Sequence, residues 1–232
     1  MVNVIIDEIT PITLVGGASF KKNLLKMALG RAPKSVGADG GGAALIAHGE
    51  SPLAIIGDMD SVNFKLIGDF PRRLFHVIAE QESTDFEKCL QRVEAAAVIG
   101  VGFVGSRVDH QMAVQSVLVR YAHKRCLLLG EEDVMFVIPP EFYLAIEPDV
   151  RVSIFPMAQG QIVSQGLYWP TTGLILAPNG QIGTSNKSMG NIHLAPDGPN
   201  MIGILPIGYF DQVLDALLVA PKWPTPEAQA SV

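Results

Sequence analysis

The sequence predicts an N-terminal α/β domain with a mostly parallel sheet, followed by a C-terminal all-β sandwich domain. Up to Pro139-Pro140, short apolar runs alternate with segments of helical period, which is typical of parallel strands joined by helices. Beyond these prolines, most apolar runs are short and are separated by turn signals such as Asn179-Gly180. We therefore expect one domain over residues 1–138 and a second over residues 139–232.

The elements of the first domain follow from its apolar periodicity. Helix 84–98 shows the clearest pattern, and Thr84 with Glu87 forms a capping box at its start. The predicted order is strand 12–16, helix 20–29, strand 34–38, helix 43–47, strand 53–57, strand 74–79, helix 84–98, strand 98–104, helix 107–123 and strand 125–129. Nearly every strand is followed by a helix, as in a sheet that is covered on both faces.

The second domain is predicted from short runs between turn residues. Its expected strands are 142–146, 152–156, 161–163, 174–177, 192–194 and 201–205, followed by a helix over 210–219. The Pro- and Ala-rich end after Pro221 is expected to be loosely packed.

Composition excludes several classes of protein. Hydrophobic residues make up 48% of the 232 residues and charged residues 17%, which favours a packed core. The net charge of −6 argues against a general nucleic-acid or anionic membrane surface, and no apolar run has the roughly 18–20 residues of a membrane span. Cys89 and Cys126 lack metal or redox spacing, and no signal-like basic segment precedes the first apolar run. We expect a cytoplasmic enzyme.

Two carboxylates follow a buried strand in the run Gly57-Asp58-Met59-Asp60. They are expected at the carboxyl end of the strand, where open α/β sheets bind ligands. Neighbouring carboxylates without His or Cys favour Mg²⁺ over zinc. The same residues also occur in solvated turns, and taken alone the run fits both interpretations equally.

Two further acidic clusters are expected at the same edge of the sheet. Asp39 ends a strand before Gly40-Gly41-Gly42, and these glycines would let backbone N–H groups approach a phosphate. Asp85 lies at the start of a helix that follows another strand, so it could complete a three-carboxylate metal site with Asp58 and Asp60. The alternative is structural, with Thr84 as the helix cap and Asp85 complementing the helix dipole.

The segment 100–105 has the spacing Gly-x-Gly-x-x-Gly but does not predict a dinucleotide site. Its glycines lie inside the strand, and no acidic residue follows about 20 positions later. Arg107 begins the next helix, where a cation opposes the helix dipole, so an anion is expected nearby. Ser106 and Asp109 can be explained as caps and His110 as a surface residue. The sequence also contains neither a P-loop nor an EF-hand pattern.

Taken in order, these clusters resemble the motifs of the thiamine pyrophosphokinase family. The matching runs are Ala38 to Gly41 (Ala-Asp-Gly-Gly), Gly57 to Ser61 (Gly-Asp-x-Asp-Ser), Thr84 to Lys88 (Thr-Asp-x-x-Lys) and Gly105 to His110 (Gly-x-Arg-x-Asp-His). In the β domain, the matching runs are Ser153 to Pro156, Gly166 to Trp169 and Gly183 to Asn186. Each motif alone is weak, but the complete order over residues from about 12 to 206 is specific.

The resemblance implies an activity and a set of site residues. It implies an α/β domain for ATP and Mg²⁺, a β-sandwich, a homodimer and thiamine bound near the subunit interface. Asp58, Asp60 and Asp85 would hold Mg²⁺, and Arg107 would contact phosphates. The remaining nucleotide-site candidates are Asp39, Gly40, Gly41, Gln81, Thr84, Lys88, Asp109 and His110. Ser185 and Asn186 would bind thiamine, and Trp169 would either stack on its thiazolium ring or, the favoured interpretation, lie in the core.

Three alternatives remain open. A haloacid-dehalogenase-like phosphatase would use Asp58 as nucleophile and Asp60 as acid/base. A related pyrophosphokinase would act on a pterin. A non-catalytic protein would only bind the nucleotide or thiamine.

Overall fold

The chain contains two compact units. The computed structural model describes residues 3–60, 71–105 and 107–226, so the motif residues Ser61 and Ser106 lie outside the described ranges. One unit comprises Met1–Val117 and Leu127–Glu132, and the other comprises Leu118–Cys126 and Asp133–Val232.

The elements up to residue 129 alternate between strands and helices. They are β1 (Ile6–Asp7), β2 (Ile12–Val15), α1 (Lys22–Arg31), β3 (Ser35–Ala38), α2 (Gly40–Ala47), β4 (Ala54–Gly57), a 3₁₀ turn (Arg72–Leu74), β5 (Phe75–Val77), α3 (Asp85–Arg92), β6 (Val93–Glu94), β7 (Val98–Val101), α4 (Val108–Arg120) and β8 (Cys126–Leu129).

These strands form a sheet with the order β8-β7-β2-β3-β4-β5. The pairs β7–β2, β2–β3, β3–β4 and β4–β5 are all parallel. Every residue of β2, β3, β4 and β7 is buried, as expected for strands covered on both faces. The carboxyl ends of neighbouring parallel strands therefore lie at one edge of the sheet.

Helix α3 begins where the sequence predicts and ends earlier. The Thr84 hydroxyl accepts a hydrogen bond of 3.2 Å from the Glu87 backbone N–H, so the predicted N-cap is confirmed. The prediction that the helix extends to residue 98 is wrong. Its last residue is Arg92, because Val93 and Glu94 form β6, which pairs in parallel with β1.

The second unit is built from strands and one helix. Its elements are β9 (Asp133–Val137), β10 (Phe142–Leu144), β11 (Pro148–Pro156), β12 (Ile162–Leu167), β13 (Gly183–Pro196), β14 (Met201–Pro206), a 3₁₀ turn (Ile207–Tyr209) and α5 (Phe210–Val219). All pairings among the strands β9 to β14 are antiparallel. Strand β13 is central, because its first half pairs with β11 and its second half with β10 and β12.

Two predictions for this unit are wrong, and one strand was missed. Residues 174–177 form no strand and contribute only an isolated bridge between Leu176 and Gly160. Strand β13 is far longer than the predicted 192–194. Its first half carries polar residues, which interrupt the apolar pattern from which the strand was predicted. Strand β9 was not predicted, although its apolar run is buried.

Helix α5 packs on β10 through an apolar face. The buried residues of this face are Phe210, Val213, Leu214 and Leu217. Within the described ranges, every helix is too short or too polar to cross a bilayer.

Candidate active site

A cavity of about 590 Å³ opens at the carboxyl edge of the parallel sheet. Its volume suits a small-molecule ligand. Its walls come from the segments after β2, β3, β4 and β7 and from the first turns of α3 and α4, all within the first unit. The predicted site residues among its lining are Asp39, Gly40, Asp58, Thr84, Asp85, Lys88, Arg107 and His110.

Asp39 occupies the junction between β3 and α2. Its φ of 45° lies in the left-handed region, which a residue with a side chain rarely adopts. Its side chain is buried, with 5% exposure, and its Oδ1 has no hydrogen-bond partner among the described residues. A strained backbone and an unpaired buried carboxylate oxygen both cost free energy, which indicates that this oxygen has a ligand to bind.

Asp58 follows β4 at the start of a turn. The left-handed residue of this turn is Met59, with φ of 67°, rather than Gly57. The small size of Gly57 serves another purpose, because a Cβ there would lie 2.8 Å from the Asp39 Cβ. Gly57 therefore lets the ends of β3 and β4 bring Asp39 and Asp58 together.

Asp39, Asp58 and Asp85 form the carboxylate cluster of the cavity. One ligand oxygen from each lies within 4.8 Å of the others. The structure thus brings together Asp58 and Asp85, two of the three predicted metal ligands, and places Asp39 beside them. Asp60 is exposed, and its backbone N–H donates to Asp58 Oδ1 at 3.2 Å.

Lys88 supplies a buried positive charge to this cluster. It is 1% exposed, and its Nζ donates to Asp58 Oδ2 at 3.3 Å and to Asp85 Oδ1 at 3.4 Å. It lies one turn after Asp85 on α3, so the helix places both groups on the same face. The single ammonium leaves the three carboxylates with a net negative charge, a surplus that a divalent cation can balance.

The pKa shifts follow from these contacts. The hydrogen bond from the Asp60 backbone lowers the pKa of Asp58 and outweighs the opposing effect of burial, and Lys88 adds to the lowering. Burial raises the pKa of Asp85, and although Lys88 opposes this, the charges of Asp39 and Asp58 act in the same direction. Burial lowers the pKa of Lys88, but its hydrogen bond to Asp58 and the two carboxylate charges reverse this, so its pKa is raised.

The chemistry of the cluster fits a magnesium ion. Its donors are carboxylate oxygens, without His or Cys among them, and hard oxygen ligands suit Mg²⁺. Asp39 Oδ1, which is buried and has no hydrogen-bond partner within residues 3–60, 71–105 and 107–226, provides a further ligand atom. The residues present therefore fit the metal that the sequence predicts.

The glycines after Asp39 matter both for the packing of α2 on the sheet and for the wall of the cavity. Gly40 lines the cavity, as predicted, whereas Gly41 is not part of the lining. A Cβ at Gly41 would lie 1.8 Å from the Val15 carbonyl oxygen, and one at Gly42 would collide with Ile55. Gly41 and Gly42 therefore let α2 approach the sheet closely and hold Gly40 at the cavity wall.

The segment before α3 contributes one polar contact to the cluster. Gln81 Nε2 donates to Asp58 Oδ2 at 3.5 Å, a long hydrogen bond, and Gln81 does not line the cavity. The Glu80 carboxylate accepts hydrogen bonds from the backbone N–H groups of Glu82 and Ser83 and thereby shapes the segment that leads to Thr84.

The predicted phosphate contact, Arg107, also lines the cavity. Its Nε and Nη2 donate to the two carboxylate oxygens of Asp109 at 3.2 and 2.7 Å, and both side chains are exposed. Hydrogen bonding to Arg107 lowers the pKa of Asp109. Arg107 and His110 line the cavity, whereas Asp109, which holds the guanidinium, is not part of the lining.

The apolar part of the wall was not predicted from the sequence. Phe86 and Phe103 line the cavity, and their ring centroids are 4.7 Å apart. Gly16-Gly17, which follows β2 as Asp39 follows β3, also lines it. The position of these glycines directly after a strand was the signal that could have identified them.

The predicted thiamine residues all lie in the second unit. Ser185 has a φ of 59°, and its backbone N–H donates to Ser153 Oγ at 3.0 Å. Asn186 is buried, with 4% exposure. The favoured core position for Trp169 is wrong, because this side chain is 56% exposed and packs edge-on against Tyr168.

Comparison with known proteins agrees with the sequence motifs. Residues 25–129 match the family model described as the thiamin pyrophosphokinase catalytic domain. Thiamine pyrophosphokinase 1 of Arabidopsis thaliana is 25% identical over 163 residues, which cover 62% of this chain and 61% of that protein. Thiamine pyrophosphokinase 1 of Oryza sativa subsp. japonica is 25% identical over 154 residues, 58% of each chain. The chain thus spans about three fifths of the length of the curated relatives it matches.

The resemblance to the thiamine pyrophosphokinase family is confirmed. The catalytic-domain match includes Asp39, Asp58, Asp85 and Lys88, so the family model covers the whole carboxylate cluster.

Solved thiamine pyrophosphokinases share the fold of this chain. The enzyme from Geobacillus thermodenitrificans superposes with a TM-score of 0.70 at 21% identity, covering 85% of this chain and 97% of that one. The yeast enzyme gives a TM-score of 0.71 at 15% identity and covers 93% of this chain and 95% of that one. These likenesses establish a common fold.

Proposed function

We propose that this chain is a thiamine pyrophosphokinase, which transfers a diphosphate group from ATP to the hydroxyl of thiamine and releases AMP. The observation that carries the proposal is the cluster of Asp39, Asp58 and Asp85 around Lys88. It lies in a cavity of suitable size, within the residues that match the catalytic-domain model.

The proposed reaction needs charge neutralisation and alignment more than covalent help from the protein. The hydroxyl oxygen of thiamine attacks the β-phosphorus of ATP and loses its proton. The bond between the β-phosphorus and the oxygen that bridges to the α-phosphate breaks, and AMP leaves with the electron pair. Negative charge develops on that oxygen, so the site must stabilise an anion.

In this proposal Asp39, Asp58 and Asp85 hold Mg²⁺. When bound, the metal would screen the phosphate oxygens and the charge that develops on AMP. Lys88 keeps Asp58 and Asp85 in place by its two hydrogen bonds. Asp60, on the same turn as Asp58, stays a predicted ligand whose role is tested separately.

The phosphates are proposed to lie between the cluster and Arg107. Arg107 would bind phosphate oxygens with its planar donor groups, held at the rim by Asp109. His110 and Thr84 would contribute polar contacts from the two helix starts, and Gly40 would allow close approach of the backbone. Gln81 and Gly41 would act indirectly, through Asp58 and through helix packing.

Thiamine is proposed to bind to the second unit through the segments of Ser185 and Trp169.

We also propose that this unit packs as a β-sandwich, with residue 138 as the functional domain boundary and a homodimer as the working form. The supporting observations are the two sets of strands that share β13 and the family resemblance. Two free, buried cysteines fit a reducing compartment, so we place the enzyme in the cytoplasm.

Product analysis tests the activity. The protein is incubated with ATP, Mg²⁺ and thiamine, and nucleotides and thiamine esters are separated chromatographically. AMP and thiamine diphosphate in equal amounts would support the proposal. Free phosphate would indicate a phosphatase, diphosphate transfer to a pterin but not to thiamine would indicate the related pyrophosphokinase, and binding without turnover would indicate a non-catalytic protein.

A further inference from the structure

The structure assigns to Asn186 the role of a positioning residue that holds Trp169 in place, instead of a direct contact to the substrate. The inference that this matters for thiamine rests on the proposed function. The structural part, that Asn186 fixes Trp169, stands on the contacts of the second unit alone.

The Asn186 side chain pairs with the backbone of Trp169 at both polar groups. Its Oδ1 accepts from the Trp169 N–H at 3.1 Å, and its Nδ2 donates to the Trp169 carbonyl oxygen at 2.6 Å. The same Oδ1 also accepts from the Lys187 N–H at 2.8 Å. Both polar atoms of the amide are thus engaged with backbone, and because the side chain is 4% exposed, little of it can reach a ligand.

This pairing extends the hydrogen-bond ladder between β12 and β13 by one residue. Strand β12 pairs with β13 up to Leu167 opposite Ser188, and the Tyr168 N–H then donates to the Lys187 carbonyl at 2.9 Å. At Trp169 the side-chain amide of Asn186 takes the place of a backbone peptide group, since both present an N–H donor and a carbonyl acceptor in one plane. The next residue, Pro170, has no N–H and ends the ladder.

The segment after Trp169 is also anchored by side chains. The Thr171 N–H donates to Ser164 Oγ at 2.8 Å, and the Ser164 N–H donates to Thr172 Oγ1 at 3.0 Å. Trp169 is therefore held from both sides by hydrogen bonds although its ring is more than half exposed. Fixing the backbone of an exposed tryptophan lowers the entropy lost when a ligand packs on its ring.

Lys187 fixes the neighbouring ring. Its Nζ lies 4.7 Å from the centre of the Tyr168 ring and 2.7 Å from Asp149 Oδ1. The Tyr168 and Trp169 rings meet edge-on, with centroids 4.7 Å apart. Two successive residues of β13 thus hold two successive aromatic residues. The electron-rich faces of such rings suit a planar, positively charged heteroaromatic ring, the chemical class to which thiamine belongs.

Fluorescence of a protein with Trp169 as its single tryptophan tests the structural part. The Trp223→Phe variant provides this background, since the chain has two tryptophans. Without substrates, Asn186→Ala should increase acrylamide quenching of Trp169 and lower its emission anisotropy. Asn186→Asp keeps the two acceptor contacts but turns an oxygen instead of a donor toward the Trp169 carbonyl, so it should change both signals in the same direction.

Steady-state kinetics in the same variants test the link to the substrate. The KM for thiamine should rise about tenfold in Asn186→Ala, because an ordered ring surface is lost, whereas the KM for ATP should stay within about twofold. Asn191→Ala is the matched control: this asparagine lies on the same strand, further along than Asn186, and its side chain accepts a hydrogen bond from the Ile146 N–H instead of from Trp169. It should leave both the Trp169 signal and the thiamine KM unchanged.

The possible results distinguish the positioning role of Asn186, a direct contact of Asn186 with the substrate and a failure of the proposed function. Unchanged Trp169 fluorescence with a raised thiamine KM would overturn the positioning role and indicate a direct contact of Asn186 with the substrate. A more mobile Trp169 with an unchanged thiamine KM would overturn the ring pair as part of the site. If the wild type forms no thiamine diphosphate, the proposed function fails, and the fluorescence comparison still decides the role of Asn186. Circular dichroism melting confirms folding, and Asn186→Asp provides the test should Asn186→Ala not fold.

Discussion

At the scale of residues, the metal site depends on which carboxylates meet. Asp39 and Asp60 are the two candidates for the third ligand beside Asp58 and Asp85. Asp39 is buried, and its Oδ1 has no partner in the part of the chain that the structure describes, whereas the exposed Asp60 contributes its backbone N–H to Asp58. Asp39→Asn and Asp58→Asn should each lower kcat by about two orders of magnitude or more, because each removes a charge from the cluster. Asp60→Asn keeps the N–H and should cost much less. Turnover by Asp60→Asn as low as that of Asp58→Asn would restore the ligand set predicted from sequence.

Lys88 allows a second prediction at this scale. Lys88→Met removes the ammonium that compensates Asp58 and Asp85, and breaking such a buried pair costs roughly 3 kcal/mol. The melting temperature without metal should fall by about 6–12 °C for a chain of this size. Added Mg²⁺ should recover more of the loss in Lys88→Met than it adds to the wild type, because the cluster is then more negative.

Lys88→Arg is the control for that experiment, since it keeps the charge at a similar reach. It should melt close to the wild type, with a smaller response to Mg²⁺ than Lys88→Met. Equal melting of Lys88→Met and the wild type in the absence of metal would show that the ammonium does not compensate the carboxylates.

At the scale of elements, the close approach of α2 to the sheet is decisive for the site. Gly41→Ala would place a Cβ 1.8 Å from the Val15 carbonyl oxygen, and neither backbone can yield without moving Asp39. We expect a loss of about 3 kcal/mol or more in the free energy of unfolding, or no folded protein. The same substitution at Gly30, in α1 with open space around it, should be neutral or stabilising by up to about 1 kcal/mol. Chemical denaturation of both variants measures the difference.

The packing of α2 on the sheet also shows how much of the site the sequence predicts. The order of strands and helices places Asp39, Asp58 and Asp85 at one edge of the sheet, because each follows a strand in a parallel arrangement. Which carboxylates converge depends on distances between β3 and β4, set by Gly57 and Gly41 packing against other elements. Local sequence patterns do not contain those distances, so the meeting of Asp39 with Asp58 and Asp85 in one cluster was not predicted.

The elements that were predicted wrongly have a common physical cause. Helix α3 ends early because β6 pairs with β1, a contact between segments that are far apart in the chain. Strand β13 continues through polar residues because Asn186 and its neighbours pair with β11 and with the Trp169 segment. In both cases a tertiary partner overrides the local apolar periodicity.

At the scale of the whole molecule, the proposal assigns ATP to the first unit and thiamine to the second. The first unit carries the acidic cluster and Arg107, and the second carries the exposed ring pair of Tyr168 and Trp169. Since the groups that would bind the two substrates belong to different units, their contributions to binding should be separable by substitution.

Titration calorimetry of two variants tests this separation. Arg107→Ala removes charge-assisted hydrogen bonds to phosphate, so the dissociation constant of ATP in the presence of Mg²⁺ should rise roughly tenfold or more while that of thiamine changes little. Trp169→Ala removes the ring surface and should do the opposite. Lys124→Ala, a charge change outside the cavity lining, controls for general electrostatic effects. Loss of ATP affinity in Trp169→Ala equal to that in Arg107→Ala would contradict the assignment, because the second unit would then contribute as much to nucleotide binding as the first.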